Sequence, residues 1–143
     1  DADIVVLRYA HVLLMIAEAE NEAHGATTTA LNAINEVRTR SGQPAIEAGI
    51  SQDDLRERIR NERYWELLGE DLIYFDELRW KTWKDKKFAT YDDNGKQVVN
   101  GLRQVWGQAT YHYAWGGDHY WLYPIPYNET QMNPNMEQNP GWK

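Results

Sequence analysis

Two groups of residues in this chain of 143 have the types and spacing for chemistry. The first is the charged set Glu62, Arg63, Glu66, Asp76 and Arg79. Paired carboxylates can act as acid and base in glycoside hydrolysis. Charges three and four residues apart on a helix also form ordinary ion pairs. Nothing in the sequence gives two of these carboxylates contrasting environments, which acid–base work requires. They are read as structural, and no catalytic residue is assigned. The second group is Trp106, Tyr111, Tyr113, Trp115, Tyr120 and Trp121, interleaved with Gln104, Gln108, Asp118 and His119. Sugar rings offer flat C–H patches that stack on aromatic faces, while neutral and acidic polar groups take the hydroxyls. Trp106, Tyr113, Trp115 and Tyr120 are therefore the candidate ligand-binding residues, expected to present at least one exposed platform for a neutral oligosaccharide. The competing reading is a plug that closes the core. Gly107, Gly116 and Gly117 favour the platform, by letting the backbone stand clear, although tight packing also demands glycine.

Other chemistries find little support. The histidines are His11, His24, His112 and His119, and the pair His112 with His119 lacks a third metal ligand. No metal site is assigned. Neither a Gly-x-Ser-x-Gly nor a phosphate-loop pattern occurs, and no cofactor is expected. The formal net charge of -7 gives no broad attraction for nucleic acid or anionic lipid, so both are set aside as partners. There is no cysteine, hence no disulfide framework. No stretch reaches the roughly 18 apolar residues of a membrane span. The chain begins at Asp1 without an initiator Met or signal sequence, which leads us to expect a processed product or a fragment.

The elements that must position these residues follow from periodicity. Asp3 can cap a helix over 3–24, in which Val5, Tyr9, Val12, Ile16, Ala19 and Ala23 form one apolar row and Val6, Ala10, Leu13 and Ala17 a second. So wide an apolar arc implies packing on two sides. Gly25 ends it, Thr27 or Thr28 caps a second helix to residue 41, and the two make an antiparallel hairpin with the flavour of one tetratricopeptide unit. Ser51 with Asp54 is a near-capping box for a long segment over 52–81, bent near Gly69. Within it Arg58 with Glu62, and Arg63 with Glu66, stand at pairing distance, and Leu72, Phe75 and Leu78 mark an apolar face near Trp80 and Asp76, both read as structural. Asp93-Asn94-Gly95 signals one small hairpin. Residues 101–121 read as a long ordered loop, although Tyr111-x-Tyr113-x-Trp115 alternates as a strand would. The tail, 122–143, holds four of the five prolines and must be extended, pinned by Tyr123, Ile125, Met132 and Trp142.

Three stretches resemble the SusD/RagB family. The first is Arg8-Tyr9-Ala10-His11-Val12-Leu13-Leu14-Met15 running into Ala17-Glu18-Ala19, then Ile34-Asn35-x-Val37-Arg38-x-Arg40-Ser41-Gly42. The second is Ile59-x-x-Glu62-Arg63-x-x-Glu66-Leu67, leading to Asp76-x-x-Arg79-Trp80. The third is Tyr123-Pro124-Ile125-Pro126-x-x-Glu129, then Asn133-Pro134-Asn135 and Gln138-Asn139-Pro140-Gly141-Trp142. His11 stands where the family usually carries an acid, and Asp71, Ile73 and Glu77 depart from its Glu-Gly-x-Arg-x-x-Asp-Leu pattern.

The resemblance implies the closing portion of a longer, surface-exposed outer-membrane lipoprotein, attached only through an N-terminal lipid anchor. It would hold oligosaccharide or polysaccharide, without turnover, for a SusC-like TonB-dependent transporter. The expected fold is mainly α: tetratricopeptide-like helical hairpins, a small β-hairpin and long ordered loops. One domain is expected over 1–143, with a helical core at 1–82, a variable aromatic region at 83–121 and the tail. Two other functions stay open, a tetratricopeptide-like protein-interaction module and a fragment of a glycan-active enzyme. Affinity for a peptide would favour the former and release of reducing ends the latter.

Overall fold

The computed structural model describes residues 7–87, 90–91, 97–99, 103–106, 109–112 and 115–142, with side chains placed over 7–85 and 115–142. They fall into two compact units, 1–73 and 74–143.

In the first unit, α1 (Tyr9–His24) and α2 (Thr28–Arg40) form the antiparallel hairpin, and α3 (Gln52–Glu66) packs across it. The expected Asp3 cap lies outside the described residues. Gly25, at φ +84°, turns the chain after α1, and the Thr27 hydroxyl accepts from the Ala30 amide to start α2. Ser51 caps α3 through the Asp54 amide, while the Asp54 carboxylate answers the Ser51 hydroxyl instead of its amide. Of the two apolar rows on α1, the one with Ala10, Leu13 and Ala17 faces the core, together with Leu14, which belonged to neither expected row, and is joined by Ala30, Leu31, Ala33, Ile34 and Val37 from α2 and Leu55 and Ile59 from α3. Each fully buried Leu, Ile or Val contributes roughly 1.5–3 kcal/mol. The other row is open, with Tyr9 and Ile16 exposed.

Polar side chains tie the loops to this core. Asn35 donates to the Ile46 carbonyl (3.0 Å) and accepts from its amide (2.7 Å), fixing the excursion between α2 and α3. Asn21, wholly buried, donates to the Gln52 carbonyl, and the Gln52 side chain returns a bond to the Asn21 carbonyl. The charged residues of the family-like stretches make bonds between helices. Arg38 pairs with Glu62 at 2.7 Å, and Glu66 takes Arg8 and Arg40 at 2.5 Å each. Arg63, buried, lies 3.7 Å from Glu18 with its Nη2 3.4 Å from His11 Nε2. This corrects the expected pairing of Arg58 with Glu62 and Arg63 with Glu66. Sequence spacing shows which partners one helix offers, but the buried carboxylates turn toward arginines on neighbouring helices.

The long segment over 52–81 is interrupted, not merely bent. Gly69 at φ +86° and Asp71 at φ +59° separate α3 from α4 (Leu72–Arg79). Asp71 departs from the family pattern where that pattern has glycine, and its left-handed backbone is the reason glycine suits the site; aspartate is among the few residues that tolerate it.

In the second unit, α4 corrects another expectation. Its buried residues are Asp76 and Glu77, while Phe75 is 57% exposed and Leu72 and Leu78 are only half-buried. Asp76 accepts from Arg79 Nε at 3.0 Å, and the Arg79 guanidinium lies 4.9 Å from the centre of the half-buried Trp80 ring. After α5 (Trp83–Lys87), β1 (Thr90–Tyr91) pairs antiparallel with β2 (Gln97–Val99), flanking the expected turn, whose own residues lie outside those described. A second ladder, β3 (Arg103–Trp106) against β4 (Ala109–His112), replaces part of the expected loop. Val105 and Thr110 stand opposite each other there, and only Gly107-Gln108 separates the strands, a spacing and composition suited to a hairpin. A 3₁₀ turn (Asp118–Trp121) and α6 (Tyr127–Met132) follow. The tail is thus helical in part, where extended chain was expected: Pro126 stands at the N-cap, and its carbonyl accepts from the Glu129 and Thr130 amides. The fold is mainly α, with a tetratricopeptide-like hairpin and small β ladders.

Candidate functional site

The second unit gathers rings from three separated stretches around one cleft. Gly116 and Gly117 lead into the 3₁₀ turn, which brings His119, Tyr120 and Trp121 close together. A Cβ on Gly116 would lie 2.6 Å from the Tyr120 ring, so this glycine serves close packing. Gly141 (φ +87°) does the same for His119. Of the two roles the sequence left open for the glycines here, Gly116 and Gly141 show close packing.

The tail is closed on itself by polar contacts. Gln138 accepts from the Ile125 amide and donates to its carbonyl, at 2.7 and 2.8 Å. Asn139 donates to the Tyr123 carbonyl, and Trp142 Nε1 to the carbonyls of Leu122 and His119. These bonds hold the tail in place of two expected anchors, since Tyr123 is 62% and Met132 72% exposed. They also seat the Trp142 ring against His119, with centroids 4.7 Å apart.

The resulting cleft, about 200 Å³, is lined by Tyr74, Trp83, Trp115, Tyr120, Tyr123 and Trp142, with Leu122 at its edge. Its rings meet edge-on or tilted: Tyr74 with Trp83 at 4.8 Å, Trp115 with Tyr120 at 5.5 Å, Trp115 with Trp121 at 4.7 Å. Such contacts add about 0.5–1.5 kcal/mol each. Trp115 Nε1 donates to Asp118 at 3.3 Å, and Lys84 stands 3.8 Å from the same carboxylate and 5.8 Å from the Trp115 ring centre. Partial burial, then a hydrogen bond with the Tyr123 hydroxyl, push the Tyr74 phenol up to about 12. Tyr74 is therefore neutral at any physiological pH. The cleft is lined by aromatic rings and phenol hydroxyls, with Asp118 and Lys84 beside Trp115, a set that can stack on a sugar and hydrogen-bond its hydroxyls.

Of the four expected ligand residues, the structure brings Trp115 and Tyr120 together here, half-buried and 41% exposed respectively. Trp106 lies in β3 with its side chain outside the described residues, as does Tyr113 altogether. Sequence reasoning missed Tyr74, Trp83, Tyr123 and Trp142 as cleft residues. Tyr123 and Trp142 were read as tail anchors and Tyr74 as part of an apolar helix, and no local pattern joins them. The charged set is divided: Glu62 and Glu66 pair with arginines of the first unit, and Asp76 with Arg79 of the second.

A sequence profile of the SusD family matches residues 1–142. SusD-like protein P25 of Formosa agariphila is 36% identical over 138 residues, 91% of this chain and 22% of that protein. A crystal structure of a SusD-like protein from Bacteroides fragilis superposes with a TM-score of 0.72 at 28% identity, over 96% of this chain and 26% of that one. A SusD homologue from Bacteroides thetaiotaomicron gives 0.67 at 32% identity, again over 96% and 26%. The chain thus spans about a quarter of the length of these relatives.

Proposed function

The chain belongs to the SusD family, and from that premise we propose that the whole protein captures glycan at the bacterial surface as a non-enzymatic binding subunit. It holds an oligosaccharide at the outer membrane and passes it to a SusC-like TonB-dependent transporter. Attachment is assigned to an N-terminal lipid anchor, as the family resemblance implies. The observation that carries the binding reading is the aromatic cleft, in which Trp115, Tyr120, Tyr123 and Tyr74 surround a space open to a ligand. Trp106 and Tyr113, beside it in sequence, are proposed to extend the same platform. The absence of turnover is supported by Glu62, Glu66 and Asp76 being engaged by arginines, which suits interhelix and helix-face ion pairs better than acid–base work.

The test uses the complete gene product against a panel of polysaccharides. Affinity electrophoresis should show retardation by at least one of them, with no release of reducing ends on prolonged incubation. Reducing ends appearing in step with protein concentration would instead assign an enzyme. Retardation by none, with binding to an extended peptide, would favour a protein-interaction module.

A further inference from the structure

A second cleft lies wholly within the first unit, and neither the ion-pair lock nor the core accounts for it. It has a volume of about 570 Å³, in the range of small-ligand sites, and is lined by Arg38, Gln43, Arg58, Asn61, Glu62 and Trp65. Four of these come from one face of α3, since 58, 61, 62 and 65 follow the spacing of neighbours on a helix. Arg38 comes from the end of α2, and Gln43 from the loop after it.

Three features point to a ligand. Trp65 is 71% exposed, and its indole lies 5.4 Å from the Tyr64 ring in a T-shaped contact. The floor is rigid, because Arg38 is fixed twice, by Glu62 at 2.7 Å and by the Pro44 carbonyl at 3.0 Å. The rim is unspent: the side chains of Arg58, Asn61, Gln43 and Trp65 make no hydrogen bond among the described residues. Arg38 and Glu62 cancel each other, so the cleft retains the single positive charge of Arg58, on a chain whose formal net charge is -7.

We propose that this cleft is a second sugar subsite, specific for a saccharide unit that carries an anionic group. Trp65 stacks on the ring, Arg58 takes the carboxylate or sulfate, and Asn61 and Gln43 bind hydroxyls. The inference deepens the glycan-capture reading and rests on it. A neutral ring alone would not need a guanidinium, and a small inorganic anion would not need an indole face. Together they select a ring bearing a charge.

The experiment measures binding of the complete gene product to oligogalacturonate, dextran sulfate and neutral dextran, by calorimetry or affinity electrophoresis, alongside thermal melts. The first two probes separate carboxylate from sulfate as the source of charge. Arg58→Gln should weaken binding to one acidic probe about tenfold, the size expected for losing a charge-assisted hydrogen bond, and leave any neutral binding unchanged. Arg58→Lys should restore part of it, and Trp65→Ala should weaken the same probe with an unchanged melt. If the acidic probes bind and neither variant alters them, or if Trp65→Ala lowers the melt because the ring packs on other protein, the subsite is wrong while glycan capture stands. If the protein binds no polysaccharide of this set or of the wider panel, both readings fall.

Discussion

The first unit is held by apolar burial and by arginine–carboxylate pairs between helices, whereas the cleft region of the second is held, among the described residues, by ring edges and side-chain bonds to backbone. Leu14, Ile34, Leu55 and Ile59 are almost fully buried, and Arg38, Arg8 and Arg40 tie α1 and α2 to α3 around them. In the cleft region, Trp115, Tyr120 and Tyr123 keep part of their surface in solvent, and Gln138, Asn139 and Trp142 hold the chain by carbonyl contacts. The core and the ion pairs of the first unit use their side chains on one another, and the cleft of the second leaves rings over for something else. Substitutions should therefore affect stability in the core of the first unit and ligand affinity in the cleft of the second.

The largest effect is expected in the first core. Ile34→Ala should cost about 2–5 kcal/mol, read as a lower denaturation midpoint, because the site is closed on all sides. A cost under about 1 kcal/mol would mean the core collapses around the gap, and the contrast between units would weaken. Next comes Asn35→Ala, which leaves the Ile46 amide and carbonyl without their partner. About 1–3 kcal/mol is expected, with faster hydrogen exchange at Ile46. In the second unit, Gln138→Ala should free the Ile125 amide to exchange while the global midpoint barely moves.

Gly116→Ala sharpens the comparison. The new methyl would meet the far end of the Tyr120 ring, which can swing away at little cost in stability. Ligand affinity should fall while the melt holds. The smallest effect is electrostatic. Hydrogen bonds from Arg56 hold the Glu22 carboxyl below its ordinary range. A group whose folded pKa is depressed adds stability above its unfolded pKa and loses it as pH falls through the folded one. Glu22→Gln should flatten the acid limb of a stability–pH curve, by about half a kcal/mol or less for so exposed a pair.

What the sequence made legible was local. Gly25, Thr27 and Ser51 punctuate the helices as expected, because caps and turns are decided within four residues. The mainly helical fold and the α1–α2 hairpin follow from the same periodicity. Partner choice was not legible: Glu62 was assigned to Arg58 on its own helix, but the structure gives it Arg38, 24 residues away. On α4, apolar Phe75 faces out while Asp76 and Glu77 are buried, an inversion that no hydrophobic period reveals. The β3–β4 ladder was read as loop because Gly and aromatics blurred the alternation. For the cleft, Trp115 and Tyr120 were found from composition, but Tyr74, Trp83 and Trp142 converge only through tertiary structure.

The central claim is that the cleft rings serve a ligand beyond what they add to the fold. It is tested most directly by Trp115→Ala in the complete gene product, with polysaccharide affinity and thermal melt measured on the same sample. The account predicts clearly weaker binding and a melt lowered much less than for Ile34→Ala, since the Trp115 ring contacts are worth only about 0.5–1.5 kcal/mol each. Unchanged binding, or a melt that falls as it does for Ile34→Ala, would contradict it and leave the rings as a plug.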